Sequence, residues 1–235
     1  MEVHKPKPWS GLSEFAREIL IIVIGVLLAL GAEQVVEALR HHELVARGEE
    51  TLKDNFGRFV NFNASLHQEQ ACMAQRTTEL RAILDKAATT HRLPRIGPIP
   101  QPEPRPWQID TWEAMVSSQA AAYVPQEREI LYSRIAMSAV DLYTVALQEW
   151  ADWAALKGLS GPPRPFSEAE EANARSTLDR GAGEGDLVAF LAANTVVRIE
   201  HTRLLDAAEL KQDSDKGRAS SVASEMCHPI QVSER

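Results

Sequence analysis

The chain has 235 residues, of which 44% are hydrophobic and 25% are charged, and its formal net charge is −8. This composition is that of a folded chain and excludes wholesale disorder. The acidic balance, with no block of Lys and Arg, argues against nucleic-acid binding, because proteins that bind phosphate backbones present clustered positive charge. The length allows one domain or two small ones.

An uncharged apolar run near the N-terminus predicts a transmembrane helix. It follows a tail of residues 1–14 and, with its flanks, covers residues 15–39. Its Ile, Leu and Val side chains together favour membrane insertion by about 3 to 6 kcal/mol, and no face of the run carries a polar stripe. The residues predicted to lie in the bilayer are Ile19, Leu20, Ile21, Ile22, Val23, Ile24, Gly25, Val26, Leu27, Leu28, Ala29 and Leu30.

Two other interpretations of this run stay open. A signal peptide needs a basic start, which Lys5 and Lys7 supply, and a small-residue cleavage site, which residues 29–31 supply. Against it, Glu14 and Glu18 place acidic charge just before the apolar core, where signal peptides carry net positive charge. A run of this length also fits a helix buried in a soluble core.

Basic residues flank the run almost evenly on its two sides, so the positive-inside rule favours one orientation only slightly. The nearest flanks favour an N-terminus in the cytoplasm, which places the following domain in the periplasm. The sequence therefore predicts a single-pass protein of the bacterial inner membrane with a periplasmic domain. The flanking basic residues are Lys5, Lys7 and Arg17 before the run, and Arg40, Arg47 and Lys53 after it.

Two segments carry a resemblance to a known group of proteins. The segment Glu14–Arg40, EFAREILIIVIGVLLALGAEQVVEALR, and the segment Thr111–Glu127, TWEAMVSSQAAAYVPQE, resemble parts of uncharacterised bacterial single-pass membrane proteins, a domain-of-unknown-function class. In that group the later small-residue patch often includes a Gly, whereas this chain has Gln119, Ala120 and Ala121. The resemblance implies a membrane anchor and a helical domain, and it implies no activity.

Residues 49–88 follow a heptad pattern that is typical of a long helix. One interpretation is a helix of an intramolecular bundle with a partly solvated edge. The other is a parallel homodimer seam that continues from the membrane helix, for which Gly25 and Ala29 offer small-residue packing. One seam consists of Leu52, Phe59, Leu66, Met73, Leu80 and Ala87, and the second of Phe56, Asn63, Gln70, Thr77 and Leu84.

The rest of the chain predicts further helices and their connections. A Pro-rich stretch over residues 93–106 excludes helix and favours an extended connector. Capping boxes at residues 110–113 and 167–170 each predict the start of a helix. The first short helix runs through Ala122, and a longer one over residues 126–156 follows Pro125.

The last part of the chain contains a polar helix over residues 167–179, a glycine loop over residues 181–185 and a helix over residues 186–211. A polar tail over residues 213–235 is predicted to be mobile. Without strand-like alternation of useful length, the predicted fold class is all-α. It comprises an N-terminal transmembrane helix followed by an antiparallel helical bundle domain over residues 40–212.

No motif in the chain predicts a catalytic, cofactor or metal site. Cys72 and Cys227 match no zinc or redox spacing, so they form either one disulfide or two free thiols. The chain has a single E-x-x-H pair, Glu225 to His228, where a di-iron bundle needs two. His201 is interpreted as a core histidine of the last helix.

Two further patterns have structural interpretations. The glycines of residues 181–185 lack the preceding strand and the Lys of a phosphate loop, so a flexible turn is expected. Four tryptophans are predicted to build the core where the connector meets the bundle, and a pocket lined by them stays open. They are Trp107, Trp112, Trp150 and Trp153.

The sequence therefore predicts no enzyme and no cofactor. The first function hypothesis is a membrane-anchored, non-enzymatic interaction or accessory domain of the bacterial envelope. Its expected partners are the lipid bilayer and either a second copy of the chain or another envelope protein, with no nucleic acid. The alternative is an extracytoplasmic ligand-binding or sensing helical bundle. A third hypothesis, an enzyme with an unrecognised site, requires a pocket with converging carboxylates or His201 and strongly shifted pKa values.

Overall fold

The computed structural model describes residues 11–102, 110–219 and 227–233. Over these residues the protein is all-α, as the sequence predicts, with only four two-residue strands. The chain divides into two compact units, Met1–Arg47 and Gly48–Arg235. The α-helices are α1 (Leu12–Thr90), α2 (Asp110–Ser117), α3 (Gln126–Leu156), α4 (Glu168–Thr202) and α5 (Ala207–Arg218). The strands are β1 (Arg92–Leu93), β2 (Arg95–Ile96), β3 (Arg164–Pro165) and β4 (Val232–Ser233), and short 3₁₀ turns cover Ala120–Tyr123 and Lys157–Leu159.

In the first unit the described residues after Gly11 are helical and belong to α1. In the second unit, the predicted heptad seams of α1 are largely buried within the same chain, as the intramolecular interpretation expects. Leucine, phenylalanine and methionine side chains form most of this buried stripe, because apolar area removed from water stabilises the fold by about 25 cal/mol per Å². The buried residues of the stripe are Leu52, Phe56, Phe59, Leu66, Met73, Thr77, Leu80, Leu84 and Ala87.

The bundle of the second unit contains one parallel helix pair as well as the antiparallel pairs that the sequence predicts. Helix α4 runs antiparallel to α3, since Arg180 contacts Asp152 and Arg198 contacts Ser138. Helices α1 and α3 run parallel: near their starts Glu49 accepts hydrogen bonds from Arg128 and Tyr132. Further along, Met73 and Trp153 share one core. A parallel pair needs a long connection, and residues 91–125 provide it.

The first part of that connection is an extended strap. Leu93, Ile96 and Ile99 are buried, and Pro102 lines the same small cavity as Leu66 of α1. The strap therefore runs back along α1 from its end at Thr90 as far as Leu66. This distance is about 36 Å of helix at about 1.5 Å per residue. Twelve residues in a polyproline-like conformation cover about 37 Å, so the prolines supply the reach that this return requires. Residues 103–106 of the predicted connector lie outside the described residues.

The starts of α3 and α4 follow the local sequence signals closely. Helix α3 has the predicted bounds, with Pro125 at its N-cap. Helix α4 begins with the predicted capping box, in which the Ser167 side chain accepts from the Glu170 N–H and the Glu170 carboxylate accepts from the Ser167 N–H. Helix α2 ends at Ser117, earlier than predicted. The chain then passes Gln119, which has a φ of 62°, into a 3₁₀ turn.

The predicted glycine loop is wrong, because α4 continues through residues 181–185 without a break. Packing against α3 explains the difference. A Cβ on Gly185 would lie 2.7 Å from Oε1 of Glu149, and a Cβ on Gly181 would lie 3.3 Å from Nε1 of Trp153. These two glycines let a long helix approach its neighbour closely, at a cost in helix propensity of about 1 kcal/mol each.

The C-terminal part of the chain also differs from the prediction of a mobile tail. Helix α5 extends to Arg218 and packs so closely on α1 that Gly217 lies against the backbone carbonyl of Asn61. Residues 227–233, here called the C-terminal latch, return to the bundle, and β4 pairs with β2. Ile230, with 9% exposure, belongs to the apolar core to which α1, α3, α4 and the strap contribute. Because this region is polar in composition, its sequence carries no pattern that predicts these few buried contacts.

Candidate functional site

The apolar run of α1 presents its side chains on the surface of the structure. Leu28 is 69% exposed and Leu20 is 57% exposed, and none of the most apolar 18-residue window of this helix is buried. A continuous exposed apolar surface marks a membrane or protein contact. The helix is therefore a candidate membrane span by its length and composition.

A second helix among the described residues is long and apolar enough to cross a membrane, over Gln126–Leu159. It comprises α3 and the 3₁₀ turn after it, and 28% of its most apolar window is buried. Tyr132, Ile135 and Leu142 lie in the core of the second unit. Met137 and Val140 on the same helix are exposed, so α3 has one apolar face in the core and apolar side chains on its surface.

A cleft of about 280 Å³ lies between α1, α3 and α4 and is named here the Glu149 cleft. Glu149 and Trp153 lie at its inner end, with 4% and 1% exposure. Exposed Thr78, Arg81 and Asp186 lie at its rim. The other lining residues are Gln70, Met73, Ala74 and Thr77 of α1, and Gly181, Ala182 and Gly185 of α4.

Glu149 carries the most perturbed carboxyl group of the cleft. Burial, and to a lesser extent the neighbouring carboxylates Glu69, Glu184 and Asp186, together raise its pKa to about 8. Within the described ranges, no hydrogen-bond donor or cation pairs with the Glu149 carboxylate. A carboxyl group in this environment is mainly protonated at neutral pH, and it becomes a strong acceptor when a cation approaches.

Two more polar atoms near the cleft have no hydrogen-bond partner. The indole Nε1 of Trp153 and the Oε2 atom of Glu184 are buried and unpaired. A buried polar group without a partner costs about 1 to 3 kcal/mol, so such atoms mark places where a bound molecule can supply the missing bond. On the other side of Glu149, a cavity of about 20 Å³ reaches Glu69 and Pro102 and has the volume of about one water molecule.

Glu149 belongs to no known motif, but the sequence does contain a signal for it. Ile135, Leu142, Glu149 and Leu156 recur every seven residues in α3 and are all buried. An ionisable residue within an apolar heptad stripe indicates either a buried functional group or an interhelical partner. The two glycines that lie against Glu149 and Trp153 are the matching signal in α4.

A second feature is the attachment of the C-terminal latch to α1. Cys72 and Cys227 form a disulfide with a Cα–Cα distance of 4.8 Å. Arg76, which is buried, donates to Oε2 of Glu79 at 3.0 Å and to the carbonyl of His228. Oε2 of Glu79 also accepts from the backbone N–H of Ile230 at 3.0 Å. The disulfide and this charged pair hold the latch at neighbouring points.

Several residues that the sequence singled out lie away from the Glu149 cleft. His201 is exposed, with Nδ1 at 2.6 Å from the carbonyl oxygen of Val197, so its interpretation as a core histidine is wrong. His201 lies on the same side of α4 as the exposed Leu187 and Val197, whereas the buried side of the helix carries Val188, Ala192 and Ile199. Trp112 is buried beside Tyr132, but Trp150 is 40% exposed, so only part of the predicted tryptophan core forms.

Two sequence features lie outside the described residues, namely Trp107 and Glu225 of the E-x-x-H pair. In the part of the chain that the structure describes, no three His, Cys, Asp or Glu side chains are placed to hold a metal ion together. The carboxylates around Glu149 therefore form an electrostatic cluster and do not have the geometry of a metal centre.

Comparison with known proteins gives no relative from which a function can be transferred. No protein-family model, no curated protein and no solved structure matches this chain. The resemblance to uncharacterised single-pass membrane proteins stays a prediction from the two quoted segments, and the site is interpreted from the chain's own residues.

Proposed function

We propose that this chain is a single-pass protein of the bacterial inner membrane. The observation that carries the proposal is the exposed apolar surface of α1 over Ile19–Leu30. Transfer of these side chains from water to lipid is favourable by about 3 to 6 kcal/mol. In this proposal, residues 15–39 form the anchor, and the helical bundle serves as a non-enzymatic interaction or accessory domain of the cell envelope.

The proposed location of the bundle is the periplasm. The Cys72–Cys227 disulfide supports this location, because disulfides persist in oxidising compartments and are rare in the bacterial cytoplasm. Exposed apolar side chains on α3 and α4 support an interaction role, since contiguous apolar surface is typical of contact sites. Among them are Met137, Val140, Phe190 and Val197. The partner is proposed to be a second copy of the chain or another envelope protein.

The test is carried out on the full-length chain with a C-terminal tag in intact spheroplasts. Protease should remove the tag without lysis, and a maleimide reagent should label the two cysteines only after reduction and denaturation. The matched control carries Leu27→Arg and Leu28→Arg, because two arginines at mid-bilayer cost about 5 to 7 kcal/mol and abolish insertion. Protection of the tag until lysis would contradict the periplasmic location. Recovery of the wild-type chain in the soluble fraction would contradict the anchor.

The interaction role is tested separately by affinity capture of the full chain in mild detergent. A stoichiometric partner, or a dimer mass by light scattering, is the expected result. A detergent-solubilised monomer without any co-purifying protein would contradict this part of the proposal while leaving the anchor intact.

A second candidate function is ligand binding or sensing by the bundle. The Glu149 cleft favours it, because the cleft combines a buried carboxyl group with an unpaired indole N–H. Small-molecule sites are concave and hold a few polar groups that fix orientation. Thermal unfolding of the full chain across a metabolite library tests this function, and a ligand should raise the melting temperature. Unchanged melting curves for every compound would contradict it.

A further inference from the structure

The buried carboxyl group of Glu149 in the Glu149 cleft has further acidic side chains as electrostatic neighbours. Glu69 faces Glu149 from α1, and Glu184 and Asp186 face it from α4. The two basic side chains nearby are already engaged. Arg81 pairs with Asp179 at 2.8 Å, and Arg180 pairs with Asp152 at 2.9 Å. The missing element of the cleft is therefore a positive charge at Glu149.

The cleft also has an unused hydrogen-bond donor and an aromatic surface. Trp153 is 1% exposed, and its Nε1 has no acceptor. A cation near an indole gains about 0.5 to 2 kcal/mol from the ring electrons. A ligand that fits both features carries a positive charge and, a few atoms away, an oxygen that can accept a hydrogen bond.

We propose that the Glu149 cleft binds a small organic ammonium ion, whose charge pairs with the Glu149 carboxylate and whose oxygen accepts a hydrogen bond from Trp153 Nε1. A metal ion fits less well, because no three ligating side chains converge among the described residues and Ca²⁺ requires six to eight oxygen ligands. A volume of about 280 Å³ accommodates a molecule of several non-hydrogen atoms. The proposal deepens the second candidate function, and it does not depend on the membrane anchor.

Binding of such an ion has a distinctive proton signature. Burial and the neighbouring carboxylates hold the Glu149 pKa at about 8, so the carboxyl group is mainly protonated at pH 7. Pairing with an ammonium ion favours the ionised form. Each binding event should therefore release close to one proton, a readout that a passive filling of the cleft would not give.

The experiment is titration calorimetry on the detergent-solubilised full chain at pH 7 with 4-aminobutan-1-ol as the probe. Phosphate and MOPS serve as buffers of different ionisation heat, and Tris is avoided because it resembles the probe. We expect saturable binding with a buffer-dependent heat that corresponds to about 0.9 proton released per ligand, from the Glu149 pKa of about 8. Butan-1-ol and 4-hydroxybutanoate should bind at least tenfold more weakly.

Two variants and one control assign the effect to the cleft. Glu149→Gln should lose the proton release and weaken binding at least tenfold, and Trp153→Phe should weaken binding about three- to tenfold while retaining the proton release. Glu129→Gln, an exposed change on the same helix, should bind like the wild type.

Equal binding of butan-1-ol, unchanged proton release in Glu149→Gln, or no heat with 10 mM of the probe would each overturn the proposal. Should Glu149→Gln fail to fold, Trp153→Phe and the proton count of the wild type still decide it. A melting shift with uncharged metabolites alone would preserve ligand binding and reject the ammonium ion.

Discussion

Replacement of Glu149 by Gln should change how the stability of the domain depends on pH. The ordinary pKa of a Glu carboxyl is 4.5, and in the folded protein that of Glu149 is about 8. Between these two values the native state holds a proton that the unfolded state releases, so raising the pH favours unfolding. The slope is about 1.4 kcal/mol per pH unit, which amounts to about 3 to 5 kcal/mol over the whole interval.

Glutamine cannot ionise but keeps the shape of the protonated acid. The two proteins should therefore have similar stability near pH 5. The variant should become the more stable one by about 1.4 kcal/mol per pH unit as the pH rises toward 8, with a constant difference above about pH 8.5. Denaturant unfolding of the solubilised chain, followed by tryptophan fluorescence at each pH, measures this difference. Glu129→Gln serves as the exposed control. Parallel stability curves for Glu149→Gln and the wild type between pH 5 and pH 8 would refute the raised pKa.

Three further predictions concern packing, crosslinking and capping. Gly217→Ala should destabilise the domain by about 1 to 3 kcal/mol in thermal unfolding, because the added Cβ would collide with a backbone carbonyl of α1. Gly183→Ala, which meets open space, should be neutral or stabilising by up to about 1 kcal/mol, and the opposite order would contradict the packing of α5. Loss of the disulfide by Cys72→Ser or Cys227→Ser should cost about 2 to 5 kcal/mol and make the latch sensitive to protease, whereas unchanged digestion would show that the latch is held by other contacts. Ser167→Ala should cost about 1 kcal/mol in denaturant unfolding, through loss of the N-cap of α4, and an unchanged midpoint would argue against that cap.

Periodicity and capping signals were sufficient for much of the fold. The heptads of α1, the bounds of α3 and the capping box at Ser167 depend on contacts within a few residues or on a single apolar face. Local rules describe such contacts well. The all-α class follows from them, and the exposed apolar surface of α1 follows from the uncharged run itself.

The remaining features depend on contacts between distant residues. Helix α4 passes through glycines that would end an isolated helix, because Glu149 and Trp153 of α3 occupy the space that they leave. Similarly, the latch looks polar in sequence, although Ile230 is buried in a distant core. Glu149 matches no known motif, because its chemistry depends on burial within an apolar stripe and not on the spacing of neighbouring residues.

The attachment of the latch determines when the domain can be completed during biosynthesis. Ile230 belongs to the core and follows all five helices in the chain, so this core closes only after residue 230 has been synthesised. Until then Cys72 remains a free thiol, because Cys227, the other of the two cysteines in the sequence, has not yet been synthesised. Once Cys227 emerges, oxidation has a single intramolecular product, and incorrect pairing within one chain is impossible. Premature termination before residue 227 would leave a reactive thiol and an open core, two features by which quality-control proteases can distinguish a truncated product from a finished one.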